Sequence, residues 1–344
     1  MLFITGASRS GTTLMSFILR NHVDIAGLRE LQYFGEYWDP RSPGSALRGV
    51  GNEEAVSAMF ARQRRGILSA KPEEEDVEKA RALLESPGQK DLDPGELFAA
   101  TVHELATELG KTIPCEQTPR NIFYAESLLE LFPNAHVIHM LRDPRAVMAS
   151  QKQRWKRRKN ATNKSGFPLS QTLRVWVNYH PFTVARLWRS ASRIAKKLEN
   201  KSRFTVVRFE DLLEAPEKTI SGLCEQIGVD YDPGLLDVGQ INSSHQSSVG
   251  GARRGLQKDA INKWQEELSR GEVSIAERIC GEYMGAFGYA SRDYADSGDT
   301  GELRYKLSYP LHLAGVFLVN PRRAWIQLRA VLNRAKFSRP RSAV

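Results

Sequence analysis

The chain opens on a short apolar run, residues 2–5, that passes directly into Gly6-Ala7-Ser8-Arg9-Ser10-Gly11-Thr12-Thr13. The run has the length of a buried strand, and a helix is predicted from about Thr12 to Arg20. Strand, glycine loop and helix in that order form the first half of a β–α unit, which favours a parallel sheet covered by helices. The same alternation continues downstream. A second strand is predicted near Val23–Ala26. A helix over 97–109 leads to a strand near 112–116, and a helix over 121–131 leads to Ala135–Leu141. That last apolar run reads as a central parallel strand. Another helix starts near Pro144, a long one covers 170–198, and Arg203–Arg208 reads as a further strand. The predicted fold is α/β, a P-loop-like three-layer arrangement with a central parallel sheet flanked by helices.

Residues 40–100 interrupt this alternation. Arg41–Gly51 is rich in Gly, Pro and Ser, Lys71–Leu84 is charged with helical spacing, and Ser86–Pro94 is turn-like. The segment reads as a helical insertion, either flanking an acceptor entrance or forming a plain solvated excursion. At 344 residues the chain is long enough for one large domain with an appendage. The expected division is a body over 1–290, containing the 40–100 insertion, and a basic C-terminal extension over 291–344.

The opening loop falls one residue short of the phosphate-binding pattern GxxxxGK[ST], because Thr12 stands where that pattern has lysine. The loop physics survives the change. Glycines permit the tight turn, and N–H groups at a helix start favour an anion. Ser10, Thr12 and Thr13 add hydroxyl donors. What is lost is the cation that reaches the outer phosphates of a nucleoside triphosphate. A donor with one phosphate joined to a sulfate needs no such clamp. It needs positive charge near the bridging oxygen, where negative charge grows as the S–O bond breaks. Arg9 is the candidate for that role.

A second anion-binding element follows the central strand, in Leu141-Arg142-Asp143-Pro144-Arg145-Ala146-Val147-Met148-Ala149-Ser150. Arg142 stands at the carboxyl end of the strand, where open α/β sheets bind ligands, and Pro144 suits the first turn of a helix. Ser150 lies about two turns further on, on the side of the helix where it begins. Arg142 can grip a second phosphate while Ser150 donates a hydroxyl to it. Asp143, between Arg142 and Arg145, reads as an acid that orients those arginines.

Taken together, the two elements resemble the 5′-phosphosulfate loop and the 3′-phosphate motif of the sulfotransferases that use 3′-phosphoadenosine-5′-phosphosulfate (PAPS). The resemblance extends to Glu116-Gln117-Thr118-Pro119-Arg120-Asn121, to Trp176, through Val207-Arg208-Phe209-Glu210-Asp211-Leu212, and to Asn262-Lys263-Trp264. It covers roughly residues 1–290, with a gap in the insertion. The run Ser-Arg-Ser-Gly-Thr-Thr-Leu looks like the carbohydrate and protein-tyrosine branch. The resemblance implies that Ser8, Arg9, Ser10, Gly11, Thr12, Thr13, Arg142 and Ser150 hold PAPS. It implies the same for Arg253 and Arg254 in a basic loop, where a solvated loop is the competing reading, and for Lys263. Trp264 and Phe209 read equally as packing residues. Gln117 departs from the family, where many relatives carry lysine in an EKTP run, and this puts a cationic role there in doubt. No metal is expected.

Transfer of a sulfuryl group needs a base within reach of the acceptor hydroxyl. Glu30, in Gly27-Leu28-Arg29-Glu30-Leu31-Gln32, aligns with the glutamate that serves as base in the glycan and tyrosine branches. The alternative is a surface glutamate paired with Arg29. Phenol and steroid sulfotransferases use histidine instead, but no histidine stands near Gln117-Thr118. His22 reads as a cap of the first helix, His139 as a core histidine, and His180 has no assigned role.

The net charge of +9 suits an anionic ligand, membrane or nucleic acid without choosing among them. From Leu303 to Val344 the sequence holds nine Lys and Arg and no acid, which equals the whole excess. Within that stretch Leu307–Val319 is apolar. Trp325, Ile326, Leu328, Val331 and Leu332 then alternate with Arg329 and Arg334 at helical spacing. Such a segment either lies on an anionic membrane or docks its apolar side on the domain. Sparse aromatic interleaving weighs against nucleic acid. Cys115, Cys224 and Cys280 lack CxxC spacing and read as buried thiols of a cytosolic protein. The sequence shows no signal peptide and no membrane span of roughly 20 apolar residues. The expected location is cytoplasmic with peripheral membrane contact open, unless an anchor precedes Met1. The expected activity is sulfuryl transfer from PAPS to a hydroxyl or amine acceptor, a glycan or glycolipid. The alternatives are a P-loop small-molecule kinase and a non-catalytic nucleotide-binding protein at a membrane surface.

Overall fold

The computed structural model describes residues 1–40, 44, 47–66, 71–88, 92–154, 177–238, 261–291 and 301–319. Five strands form one sheet: β1 Leu2–Gly6, β2 Ile25–Gly27, β3 Ile113–Glu116, β4 His136–Leu141 and β5 Phe204–Arg208. Their order is β2-β3-β1-β4-β5 and every pairing is parallel. The chain winds outward to β2 and β3 on one side of β1 and to β4 and β5 on the other. The carboxyl ends of β1 and β4 therefore flank the reversal of winding, the position at which such sheets take ligands.

Alternation along β1 separates two different faces. Leu2 and Ile4 join an aliphatic cluster with Met15, Ile18 and Leu19 of the Thr12–Leu19 helix. Leu212 and Ile220 complete that face from the Phe209–Glu214 and Pro216–Ile227 helices. Phe3, pointing the other way, meets Phe34, Phe98 and Phe132 at ring separations of 6.1, 5.8 and 5.8 Å. The fully buried rings of this set, Phe3, Phe34 and Phe98, each contribute on the order of 1.5–3 kcal/mol. This aromatic face fixes the Pro94–Glu108 helix, which starts on a reciprocal cap: Asp93 accepts from Gly95 N and Glu96 N, and Glu96 accepts from Asp93 N.

The 40–100 stretch contains the helices Asn52–Arg65 and Glu74–Glu85 and the start of Pro94–Glu108. Arg62 ties it to the preceding segment, donating to Leu31 O and to Glu36 Oε2, each at 2.5 Å. Arg64 and Arg65 both pair with Glu73 and Asp76.

Two boundaries differ from the sequence reading. The second strand is Ile25–Gly27, and Val23 is 77% exposed. The expected 121–131 helix is a 3₁₀ turn over Pro119–Tyr124 followed by Ala125–Leu131, because Pro119 has no N–H to give and begins the turn earlier. Of the expected 170–198 helix, the described part is Pro181–Leu198, which starts on a proline at its first position; residues 170–176 lie outside the described residues.

By contact density the chain divides into two compact units, residues 1–143 with 188–261, and residues 144–187 with 262–344. The sheet lies wholly in the first. In the second, the Arg270–Ala286 helix is capped by Ser269. There Arg145 stacks 4.2 Å over Trp264 and pairs with Glu277 at 2.7 Å, both charges being buried.

Candidate active site

β1 ends at Gly6, where a Cβ would sit 2.6 Å from the Met140 carbonyl oxygen of β4. Only glycine lets the two strand ends lie so close while the chain turns into the loop. Arg9 takes a left-handed backbone, φ 80°, which is costly for a residue with a side chain and clusters at functional loops. Gly11 has φ 95°, and a Cβ there would lie 2.4 Å from the Phe209 ring. The Thr12–Leu19 helix then begins, and its first N–H groups have no carbonyl ahead of them in the helix. Ser10 is fully buried, and its hydroxyl has no hydrogen-bond partner among the described residues. An orphaned hydroxyl beside free helix-start N–H groups is the chemistry of an anion cradle.

Arg142 directly follows β4. Its Nη1 donates to Arg9 O at 3.1 Å, and its guanidinium lies 4.4 Å over the Phe209 ring. The strand end is held from behind: Trp188 Nε1 donates to Arg142 O at 2.8 Å, and Asp143 N donates to Glu210 Oε1 at 3.0 Å. Phe209 is thus a ledge under both Gly11 and Arg142. Asp143 engages Glu210 through its backbone N–H.

On the other side of β1, the end of β3 carries Glu116-Gln117-Thr118. Gln117 Nε2 donates to Thr12 Oγ1 at 3.2 Å and approaches Thr13 Oγ1 at 3.5 Å. A neutral amide therefore occupies the place of the family's lysine and bonds the loop hydroxyls directly. Glu116 is 1% exposed and accepts four hydrogen bonds. They come from Leu31 N at 3.0 Å, Thr118 N at 3.1 Å, Asn121 Nδ2 at 2.8 Å and the Thr118 hydroxyl. Burial pushes its carboxyl up to about 7, against the opposing pull of the bonds from Thr118 and Leu31. The Thr118 hydroxyl in turn accepts from Gln32 N at 3.2 Å. The segment carrying Glu30 hangs from β3 by two consecutive N–H groups, with Gln32 turned to φ 58°. Gln32 Nε2 donates to Glu30 Oε2 at 2.9 Å. Arg29 N donates to Gln63 Oε1 at 2.8 Å.

One short stretch, Glu116-Gln117-Thr118, therefore holds both the loop and the Glu30 segment. Sequence reasoning treated Gln117 only as a departure and gave Glu116 no role of its own. They stand at the end of β3 and just past it, and only the pairing of β3 with β1 brings them to the loop.

Of the other expected site residues, Ser150 lies on the Pro144–Lys152 helix of the second unit. Lys263, also in that unit, is exposed and caps the Trp264–Glu267 helix, while Trp264 is buried beneath Arg145. Arg253, Arg254 and Trp176 lie outside the described residues. His22 N donates to Leu19 O at the end of the first helix. His139 is buried beside the Thr5 hydroxyl, and burial lowers it to about 3. His180 bonds Ser308 in the second unit and is lowered to about 4, by burial and then by His312. The three cysteines are free and buried.

A parallel sheet with a glycine loop and a helix start at its winding reversal defines a P-loop-like fold, with a loop whose chemistry suits an anion. The sulfotransferase family profile matches residues 2–233, and the chain belongs to that family. It is 28% identical over 289 residues to nodulation protein NoeE of Sinorhizobium fredii, covering 80% of this chain and 61% of that protein. It is 29% identical over 172 residues to mouse (Mus musculus) carbohydrate sulfotransferase 5, covering 46% of this chain and 42% of that one. The chain thus spans less than two thirds of these relatives. Among solved structures, the sulfotransferase domain of the Synechococcus PCC 7002 olefin synthase superposes with TM-score 0.52 at 20% identity, over 84% of this chain and 94% of that one. This last likeness is one of fold.

Proposed function

We propose that the chain transfers a sulfuryl group from PAPS to a hydroxyl or amine on a glycan or glycolipid. The observation that carries this reading is the cradle at the end of β1: strained Arg9, the orphaned Ser10 hydroxyl, and Arg142 bonded to the loop backbone. A loop with arginine and hydroxyls, and no lysine at the P-loop position, suits a phosphosulfate better than a triphosphate. Membership of the family supports the reaction class. Relatives named carbohydrate sulfotransferases support a glycan acceptor.

In the proposed mechanism Glu30 takes the proton of the attacking hydroxyl as the new S–O bond forms. The bond from sulfur to the bridging oxygen breaks, and its electron pair stays on the 5′-phosphate of the leaving bisphosphate. Arg9 and the helix-start N–H groups stabilise the charge that gathers there. Arg142 and Ser150 hold the 3′-phosphate, with Lys263, Arg253 and Arg254 as further cations for the donor. Glu116 and Thr118 fix the height of the Glu30 segment, and Gln117 fixes the loop hydroxyls. The catalytic body is assigned to residues 1–290, with 291–344 as an extension.

The test is transfer from radiolabelled PAPS to a panel of oligosaccharides and glycolipids, with Glu30→Ala alongside. The reading predicts labelled product with the native chain. It predicts loss of turnover on Glu30→Ala, with binding of the product 3′-phosphoadenosine-5′-phosphate unchanged. Undiminished turnover in the variant overturns Glu30 as the base.

A further inference from the structure

The Glu302–Val319 helix of the second unit has two opposite faces of different character, one polar and aromatic, the other apolar. Its inner face is fixed. Glu302 accepts from Ser274 Oγ at 2.6 Å and from Arg278 Nη2 at 3.0 Å, and the Tyr305 hydroxyl meets Ser269 Oγ at 3.1 Å. Ser308 bonds His180 at 3.2 Å, Tyr309 accepts from Arg186 at 3.1 Å, and His312 bonds Thr183 at 3.1 Å. At 3.6 residues per turn these positions make one stripe.

The opposite stripe is Leu303, Leu307, Pro310, Leu311, Ala314 and Leu318, with Phe317 at its edge. All of these are exposed: Leu307, Leu311 and Leu318 by 69%, 75% and 81%. A surface helix normally turns charged residues outward. Here Arg304 and Lys306 stand on the two flanks and the outward stripe itself carries no polar residue. A contiguous exposed apolar patch with a basic rim marks a contact surface.

We propose that this face docks on an anionic lipid bilayer, with the helix lying in the interfacial plane. Charge selects this occupant. The segment that follows, residues 320–344, carries seven Lys and Arg and no acid. An apolar stripe flanked by cations complements acyl chains under anionic headgroups. Pairing with a second copy through the same stripe would bring two such basic sets together, which like-charge repulsion opposes. The helix contains Glu302, Arg304 and Lys306, and no helix among the described residues is long and apolar enough to cross a membrane. The geometry is therefore that of a helix on the surface. This inference does not depend on the donor or the base proposed above.

The test is co-sedimentation of the full chain with vesicles of phosphatidylcholine alone and of phosphatidylcholine mixed equally with phosphatidylglycerol, at low and high salt. The paired variant Leu307→Ser, Leu311→Ser keeps the charge and removes the apolar stripe. A second pair, Leu307→Lys, Leu311→Lys, removes the stripe and adds charge. Circular dichroism and bisphosphate titration check that each variant stays folded. The proposal predicts binding to the anionic vesicles, at least about tenfold weaker on the neutral ones and at high salt. It predicts at least about tenfold weaker binding for both variant pairs. Absence of binding to anionic vesicles overturns it. So does unchanged binding of the serine pair or stronger binding of the lysine pair, since either outcome assigns the contact to charge alone. Leucine-dependent dimers seen by light scattering, without vesicle binding, give the face to a second copy and also overturn it.

Discussion

Replacing Glu116 by alanine removes the acceptor for four hydrogen bonds inside the first unit. Thr118 Oγ1 can turn to another partner. Leu31 N, Thr118 N and Asn121 Nδ2 are left aimed at the vacated space, and Leu31, Thr118 and Asn121 are all buried. A buried donor without a partner costs about 1–3 kcal/mol. Water entering the space recovers part of this, and so does relief from holding a buried carboxylate, so the expected loss is about 3 kcal/mol near neutral pH. The assay is urea denaturation read by tryptophan fluorescence, paired with turnover and bisphosphate titration. Glu116→Ala should shift the unfolding midpoint down and lower turnover at least about tenfold by releasing the Glu30 segment. Bisphosphate affinity should change little, because Arg142 and Arg9 are held by other bonds. A second readout comes from pH. Burial raises the Glu116 carboxyl from 4.5 to about 7, so between these values the folded state holds more proton than the unfolded one. Its contribution to stability is therefore present at low pH and falls as pH rises through about 7, by roughly 3 kcal/mol at most. Glu116→Gln should flatten that dependence. An unchanged midpoint and unchanged turnover in Glu116→Ala would refute the reasoning.

Three further perturbations follow from the same geometry. Arg142→Ala removes the proposed charge-assisted phosphate contact and should weaken bisphosphate binding about 10–100-fold in a titration, with far-ultraviolet circular dichroism unchanged. Gly11→Ala drives a Cβ into the Phe209 ring at a left-handed backbone position; it should cost about 1–3 kcal/mol by denaturation and weaken the same binding. Glu277→Ala removes one partner of the buried Arg145 charge in the second unit and should cost about 3–5 kcal/mol, whereas replacing both residues by apolar ones should cost less.

The opening strand, loop and helix were legible because their signals are local: an apolar run, two glycines and a helix start within a score of residues. β4 was legible for a similar reason, a mainly apolar run, interrupted by His136 and His139, that ends at Arg142. The start of the second strand was not legible: Val23 is apolar, yet it faces solvent, and pairing begins only at Ile25. The roles of Glu116 and Gln117 were not legible. Their partners, Leu31 and Thr12, are 85 and 105 residues away in sequence, and only the sheet order brings them together. Phe209 is similar: a phenylalanine after β5 reads as core, and its use as a ledge for Gly11 and Arg142 depends on how β1, β4 and the segment after β5 converge.

The most direct test of the central claim, a donor site built on the loop after β1 and on Arg142, is isothermal titration with 3′-phosphoadenosine-5′-phosphate, using ATP with magnesium as the control. The account predicts saturable binding of the bisphosphate that collapses in Arg142→Ala and persists in Glu30→Ala. Binding of ATP with magnesium and none of the bisphosphate would contradict it and direct attention to phosphoryl transfer.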